Sequence, residues 1–98
     1  MPIYAVTYRY TDDGDHRQAV RPTHRDFLRG LAEQGVLVVS GPYAEAEEPP
    51  GALLILRADS KNEVSAALDK DPFRTEGIIA DVSVVEWQPV SGPLAERF

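Results

Sequence analysis

The chain has 98 residues, 43% of them hydrophobic and none of them cysteine. That allows one cored domain and excludes a disulfide framework, a thiol nucleophile and a thiolate metal site. Ten Lys and Arg against sixteen Asp and Glu give a formal charge of −6 with no Lys/Arg run, which argues against nucleic acid as a partner.

Ile3 to Tyr10 alternates, with Tyr4, Val6, Tyr8 and Tyr10 on one face and Ile3, Ala5, Thr7 and Arg9 on the other. This period and the aromatic content predict a strand. The start, Met1-Pro2-Ile3-Tyr4, lacks the basic and apolar regions of a secretory leader, and no apolar stretch reaches membrane-spanning length. The expectation is a cytoplasmic chain that does not engage a membrane. Thr11-Asp12-Asp13-Gly14-Asp15 reads as a turn. Pro22 suits the first turn of a helix, where its missing N–H costs nothing, so a helix is predicted from there to a left-handed cap at Gly35. Phe27, Leu28 and Leu31 form its apolar stripe, and His24 projects from that stripe. Gly30 costs this helix roughly 1 kcal/mol relative to Ala. Arg17, Arg21, Arg25 and Arg29 recur every four residues, which reads as a solvated helix face in preference to a nucleic-acid ridge.

Val36 to Val39 is a second strand, stopped by Gly41-Pro42. Residues 43–51 make an acidic, proline-rich connection, with its closure over a site left open. Ala52 to Leu56 is a third strand, apolar on both faces. Ser60-Lys61-Asn62-Glu63 matches a capping box for a second helix with Val64, Ala67 and Leu68 as its stripe. Ile78 to Trp87 is the fourth strand, with Trp87 read as core. A tail follows, residues 91–98 at its end, in which Leu94 and Phe98 are apolar enough to dock. The order β-α-β-β-α-β predicts a single α+β domain over residues 1–98 with a ferredoxin-like fold. Crossover handedness puts both helices on one face of a four-stranded antiparallel sheet, with the first and third strands central. The other face, holding either Tyr4/Val6/Tyr8 or Ile3/Ala5 with half of Ala52–Leu56, is a large apolar patch. An identical sheet would cover it, so a homodimer is expected.

Asp71 follows Val64 and Leu68 at helical spacing, but Pro72 disfavours helical geometry for the residue before it, so the second helix should end near Lys70. Asp71 then caps a short turn, accepting a backbone N–H near Arg74 or Thr75, and Phe73 anchors that turn. A histidine exchanges protons near neutrality. A carboxylate on one ring nitrogen would fix its tautomer and leave the other nitrogen for substrate. A His24–Asp71 dyad would therefore perform general acid–base transfer, worth typically about 10²–10⁴-fold. The bland alternative makes His24 a satisfied core residue and Asp71 only a cap.

Ser40, just before Gly41-Pro42, offers a hydroxyl to His24 or to a ligand. It lacks the nucleophile elbow of an acyl-transfer triad, and satisfying backbone is the simpler reading. Arg21 can clamp a substrate carboxylate bidentately or pair with a nearby acid. Tyr8 puts its phenol in the pocket if its face meets the helices, and packs at a dimer interface if not. The expected contacts of a small organic molecule from these side chains are Tyr8, Arg21 and Ser40, with Phe73 beside them, around catalytic His24 and Asp71. Asp12, Asp13, Asp15 and His16 lack EF-hand spacing, the two histidines make no zinc motif, and no nucleotide-binding glycine pattern occurs. No metal and no cofactor is implied.

The run Ala19-Val20-Arg21-Pro22-Thr23-His24, then Leu28, Leu31, Gly35, Gly41-Pro42, Asp71-Pro72-Phe73, Gly77 and a Val-rich strand through Trp87, resembles the YciI-like (YCII-related domain) family over nearly the whole chain. The resemblance implies a dimeric α+β barrel of ferredoxin-like units. It implies a pocket lined by a histidine and an aspartate, at the positions His24 and Asp71 occupy here, with Arg21 and Gly41-Pro42 matching an arginine and a Gly-Pro pair, and so adds Gly41 and Pro42 to the expected substrate contacts. It implies an enzyme without naming its reaction: some relatives are dehydrochlorinases of chlorinated aromatic compounds, and muconolactone isomerases share the fold. The expectation is a homodimer acting on a small organic molecule by elimination or isomerisation, with His24 as general acid–base and Asp71 as its orienter. Its rivals are a non-catalytic metabolite-binding dimer and a structural dimerisation unit with a buried histidine.

Overall fold

In the computed structural model, which describes residues 1–98, the period-two run at the start of the chain is strand β1 (Ile3–Tyr10), and the turn after it doubles as a helix cap. Asp13 accepts a hydrogen bond from the His16 N–H at 3.1 Å, so helix α1 (Gly14–Glu33) begins there and not at Pro22. Pro22 lies inside α1 on its exposed side. Gln18, whose carbonyl loses its partner to the proline, is exposed as well, and water can satisfy it there. The far end follows the expected rule. Gly35, at φ 78°, donates to Ala32 O at 3.0 Å, and Val36 donates to Leu31 O at 2.9 Å.

Strand β2 spans Leu37–Pro42, so it runs three residues past Val39 and takes in Gly41 before it ends at Pro42. The sheet order is β2-β3-β1-β4, with β3 at Gly51–Arg57 and β4 at Ile79–Trp87. An edge strand accommodates a proline because its outward positions have no ladder partner. The next N–H, that of Tyr43, points inward to Gly51 O at 2.8 Å. All three pairings are antiparallel, with β1 and β3 central. Helix α2 (Lys61–Leu68) is capped as its sequence indicates: Ser60 Oγ accepts from the Glu63 N–H at 3.2 Å, and Glu63 Oε2 accepts from the Asp59 N–H at 2.8 Å. A one-turn helix, α3 (Pro72–Thr75), then leads into β4.

The register places Tyr4 opposite Leu56, Val6 opposite Leu54 and Tyr8 opposite Ala52. These side chains pack with Leu28 and Leu31 of α1 and Val64 and Leu68 of α2 in the core. The tyrosine face of β1 is therefore the face that meets the helices. The opposite face carries Val39, Leu53, Val85 and Trp87, which are 54, 40, 51 and 41% exposed. Trp87 is thus not a core residue. Phe98 of the tail packs edge-on against it at 5.6 Å, and Arg57 donates to Arg97 O at 3.0 Å, while Leu94 stays exposed. No helix is long and apolar enough to cross a membrane.

Candidate active site

Asp71 precedes a proline, and its ψ of 126° shows the extended geometry that this position enforces. Its Oδ1 accepts the N–H of Phe73 at 2.9 Å, one residue nearer than the sequence suggests, while its main-chain carbonyl takes the N–H groups of Arg74 and Thr75. The cap holds the carboxylate still, fully buried under α1. Across from it, His24 lies three turns into α1, on the same stripe as Leu28 and Leu31. The ring Nδ1 sits 2.7 Å from Asp71 Oδ1. The second carboxylate oxygen accepts the Tyr8 hydroxyl at 2.8 Å. Three elements thus converge on one carboxylate: a helix, a central strand and a one-turn cap.

The Asp71 oxygen is an acceptor, so Nδ1 of the neutral imidazole carries the hydrogen and Nε2 keeps the lone pair. Every buried side-chain nitrogen and oxygen has a partner, and Nε2 bonds to nothing in the protein, so Nε2 is open to solvent. The ring plane is fixed as well. Phe73 stacks on His24 with centroids 3.8 Å apart and planes 1° from parallel. Tyr10 meets Phe73 edge-on at 5.7 Å, and the Arg17 guanidinium lies 4.8 Å above the Tyr10 ring. Burial pushes the Tyr8 phenol far above its ordinary range, and the neighbouring Asp71 charge and hydrogen bond push it further. Tyr10 is also raised by burial, against the lowering influence of Arg17 and Arg21.

His24 opens into a hollow of about 490 Å³, a size suited to a small molecule. Arg21, Ser40, Gly41, Pro42 and Phe73 line it together with His24. Tyr8 does not line it: its side chain is sealed behind Asp71, where it holds the carboxylate. Asp71 is likewise reached only through the imidazole. The 43–51 connection forms one wall, through Tyr43, Glu45 and Gly51. A Cβ on Gly51 would collide with the Tyr8 carbonyl oxygen, so only glycine lets that wall approach β1. Sequence reasoning missed Tyr10, Arg17, Arg25 and Tyr43. The signal for the arginines was their four-residue spacing, which leads from Arg17 through Arg21 to the turn bearing His24 once α1 is started at Gly14. No group of three or more His, Asp or Glu side chains is gathered anywhere as a metal site would require.

The architecture defines a ferredoxin-like α+β unit with an imidazole–carboxylate pair at the mouth of a hollow between α1 and the sheet edge. The chain belongs to the YCII-related domain family, whose model matches residues 1–88. Among solved structures it is similar to 5-chloro-2-hydroxyhydroquinone dehydrochlorinase (TftG) from Burkholderia phenoliruptrix in complex with 2,5-dihydroxybenzoquinone. The TM-score is 0.75 and the identity 24%, over 87% of this chain and 92% of that one. It is similar also to an antibiotic biosynthesis monooxygenase, with TM-score 0.59 and 11% identity over 93% of this chain and 100% of that one. Rv0793 from Mycobacterium tuberculosis gives a TM-score of 0.57 and 14% identity over 95% and 99% of the two chains. These likenesses establish the fold. No curated protein matches the chain significantly.

Proposed function

We propose that the chain is an enzyme of small organic molecules in which His24 Nε2 moves a proton and Asp71 orients the ring. The observation that carries this reading is the asymmetry of the imidazole: Nδ1 is held at 2.7 Å by a buried carboxylate, while Nε2 is unpartnered beside a hollow. A neutral imidazole so oriented is a general base, and the protonated ring returns the proton as a general acid. Elimination fits such a site: Nε2 takes a proton from the substrate, the released electron pair forms a double bond, and the leaving group departs with its bonding pair. Isomerisation fits too, with the same proton returned at another atom. A single base serves both reactions. The similarity to a dehydrochlorinase, at 24% identity, supports the elimination.

The catalytic unit is a homodimer in this reading. Val39, Leu53, Val85 and Trp87 leave the open face of the sheet apolar, and a second copy of that face covers it by two-fold symmetry.

The decisive experiment incubates the purified chain with 5-chloro-2-hydroxyhydroquinone and follows chloride release. Turnover that falls by about 10²–10⁴-fold in His24→Gln is expected. Unchanged turnover in that variant removes His24 as the base. A melting temperature raised by 2,5-dihydroxybenzoquinone, without turnover of any candidate substrate, assigns the hollow to metabolite binding instead.

A further inference from the structure

We propose that the hollow selects a small organic acid, whose anionic group is held by Arg21 and Arg25 within one helical turn of His24. The inference deepens the proposed reading by naming a substrate class for the same site, and it rests on that reading only in placing the anion beside the reactive nitrogen.

Three arginines, Arg17, Arg21 and Arg25, line the hollow against a single carboxylate, Glu45. The chain as a whole has the opposite balance, ten basic against sixteen acidic residues, so this wall departs from the molecule's average. Elsewhere the arginines of this region find partners: Arg29 pairs with Asp26 at 2.8 Å, and Arg74 with Asp69 at 3.4 Å. Arg17 is occupied by the Thr11 carbonyl and the Tyr10 ring. Arg21 and Arg25 have neither a hydrogen bond nor an ion pair within the protein, although Arg21 is half-buried. Like charges four residues apart on one helix face repel each other. An anion between them relieves that repulsion, and guanidinium groups hold carboxylates and ring oxyanions by paired, charge-assisted bonds.

Placement makes the wall specific. Arg21 precedes His24 by three residues and Arg25 follows it by one, so both branch from the turn of about 5.4 Å that carries the imidazole. Phe73, Leu28, Leu54 and Pro42 complete the lining with apolar surface for a ring. The preferred ligand is therefore a single-ring or similarly compact acid with its proton-exchanging atom about one ring away from its anionic group. A polyanion fits poorly, because the arginines line a concavity walled by β2 and Tyr43 and the chain carries a charge of −6.

The test is an NMR titration of the full chain with 3-hydroxybenzoate and with 3-hydroxybenzamide, which share a shape and differ in charge. The acid is expected to bind at least tenfold more tightly than the amide at low salt and to lose most of that advantage in high salt. The double variant Arg21→Gln/Arg25→Gln is expected to bring the two probes to within about twofold of each other. Equal affinities in the wild type, no binding of the acid, an acid affinity indifferent to salt, or a preference that survives the double variant each overturn the proposal. So does tighter binding of an oligo-dT strand than of the acid. Failure of the catalytic reading looks different. A His24→Gln chain that keeps turnover sinks that reading and leaves the acid preference standing, whereas turnover without preference for the acid does the reverse.

Discussion

Tyr8 and Thr7 are neighbours in β1, yet Tyr8 is sealed with its hydroxyl on Asp71 while Thr7 faces outward. One strand over, Leu54 is 1% exposed and Leu53 40%. The two faces of this sheet draw on the same strands, and both carry large apolar side chains. What differs is that α1, α2 and α3 lie across one of them. Covering that face created a demand for polar partners, because a buried carboxylate is tolerable only when its lone pairs are used. Tyr8, His24 and the Phe73 N–H meet the demand, and in doing so they fix the imidazole. The open face has no such group and is suited to association instead.

The largest expected effect breaks the covered face at its polar centre. Asp71→Ala leaves the Tyr8 hydroxyl, the His24 Nδ1–H and the Phe73 N–H without an acceptor, so a loss of about 3–5 kcal/mol is expected in urea unfolding. A loss below about 1 kcal/mol would show that water replaces the carboxylate and that the covered face does not depend on its buried acid. Leu53→Asp interrogates the other side. Light scattering is expected to give a two-chain mass for the wild type and a one-chain mass for the variant, with the helical circular dichroism retained. A wild type that is already monomeric at micromolar concentration would leave the open face to water.

Much of this contrast was legible in the residues, and what was not has a physical cause. The caps at Gly35, Ser60 and Asp71 follow from local rules in which one side chain or one φ angle satisfies nearby backbone, so spacing suffices to find them. The element order followed from periodicity for the same reason. The start of α1 did not, because Pro22 as a first-turn residue competed with Asp13 as a cap, and only the exposure of Gln18 and Pro22 lets the helix run through the proline. Extension of β2 from Val39 as far as Pro42 depends on its place at the sheet edge, which is a tertiary fact. Which face of β1 meets the helices is tertiary too, since Ile3 and Ala5 make the first half of the other face apolar as well. The 2.7 Å approach of His24 to Asp71 joins residues far apart in the chain, so composition and spacing alone had no means of measuring it.

Tyr8→Phe perturbs the covered face more gently. It leaves one oxygen of the buried carboxylate unpartnered, and a loss of about 1–3 kcal/mol is expected near neutral pH. Its alkaline behaviour is the more telling readout. Burial and Asp71 hold the folded-state phenol far above its ordinary value of 10.0, while the unfolded chain releases the proton near that value. The stability Tyr8 contributes is therefore complete below pH 10 and falls above it by roughly 1.4 kcal/mol per pH unit. Tyr8→Phe should unfold along a shallower alkaline limb than the wild type. Identical limbs would mean that the phenol is not protected, contrary to its sealed position.

The smallest effect tests whether the covered face acts as one unit. The site is held by α1, α3 and β2, whereas α2 packs towards β4. Ser60→Ala removes the acceptor of the Glu63 N–H and is expected to cost about 1 kcal/mol in urea unfolding. Hydrogen exchange should quicken along α2, and the affinity for 3-hydroxybenzoate should stay at the wild-type value. If that affinity falls with the cap, α2 supports the hollow through the core formed by Val64, Leu68 and Tyr8, and the two halves of the covered face are a single cooperative structure. If it does not, the imidazole is positioned by Asp71, which the Tyr8 hydroxyl and the Phe73 N–H hold in place, and α2 serves only to keep water off the other half of the sheet.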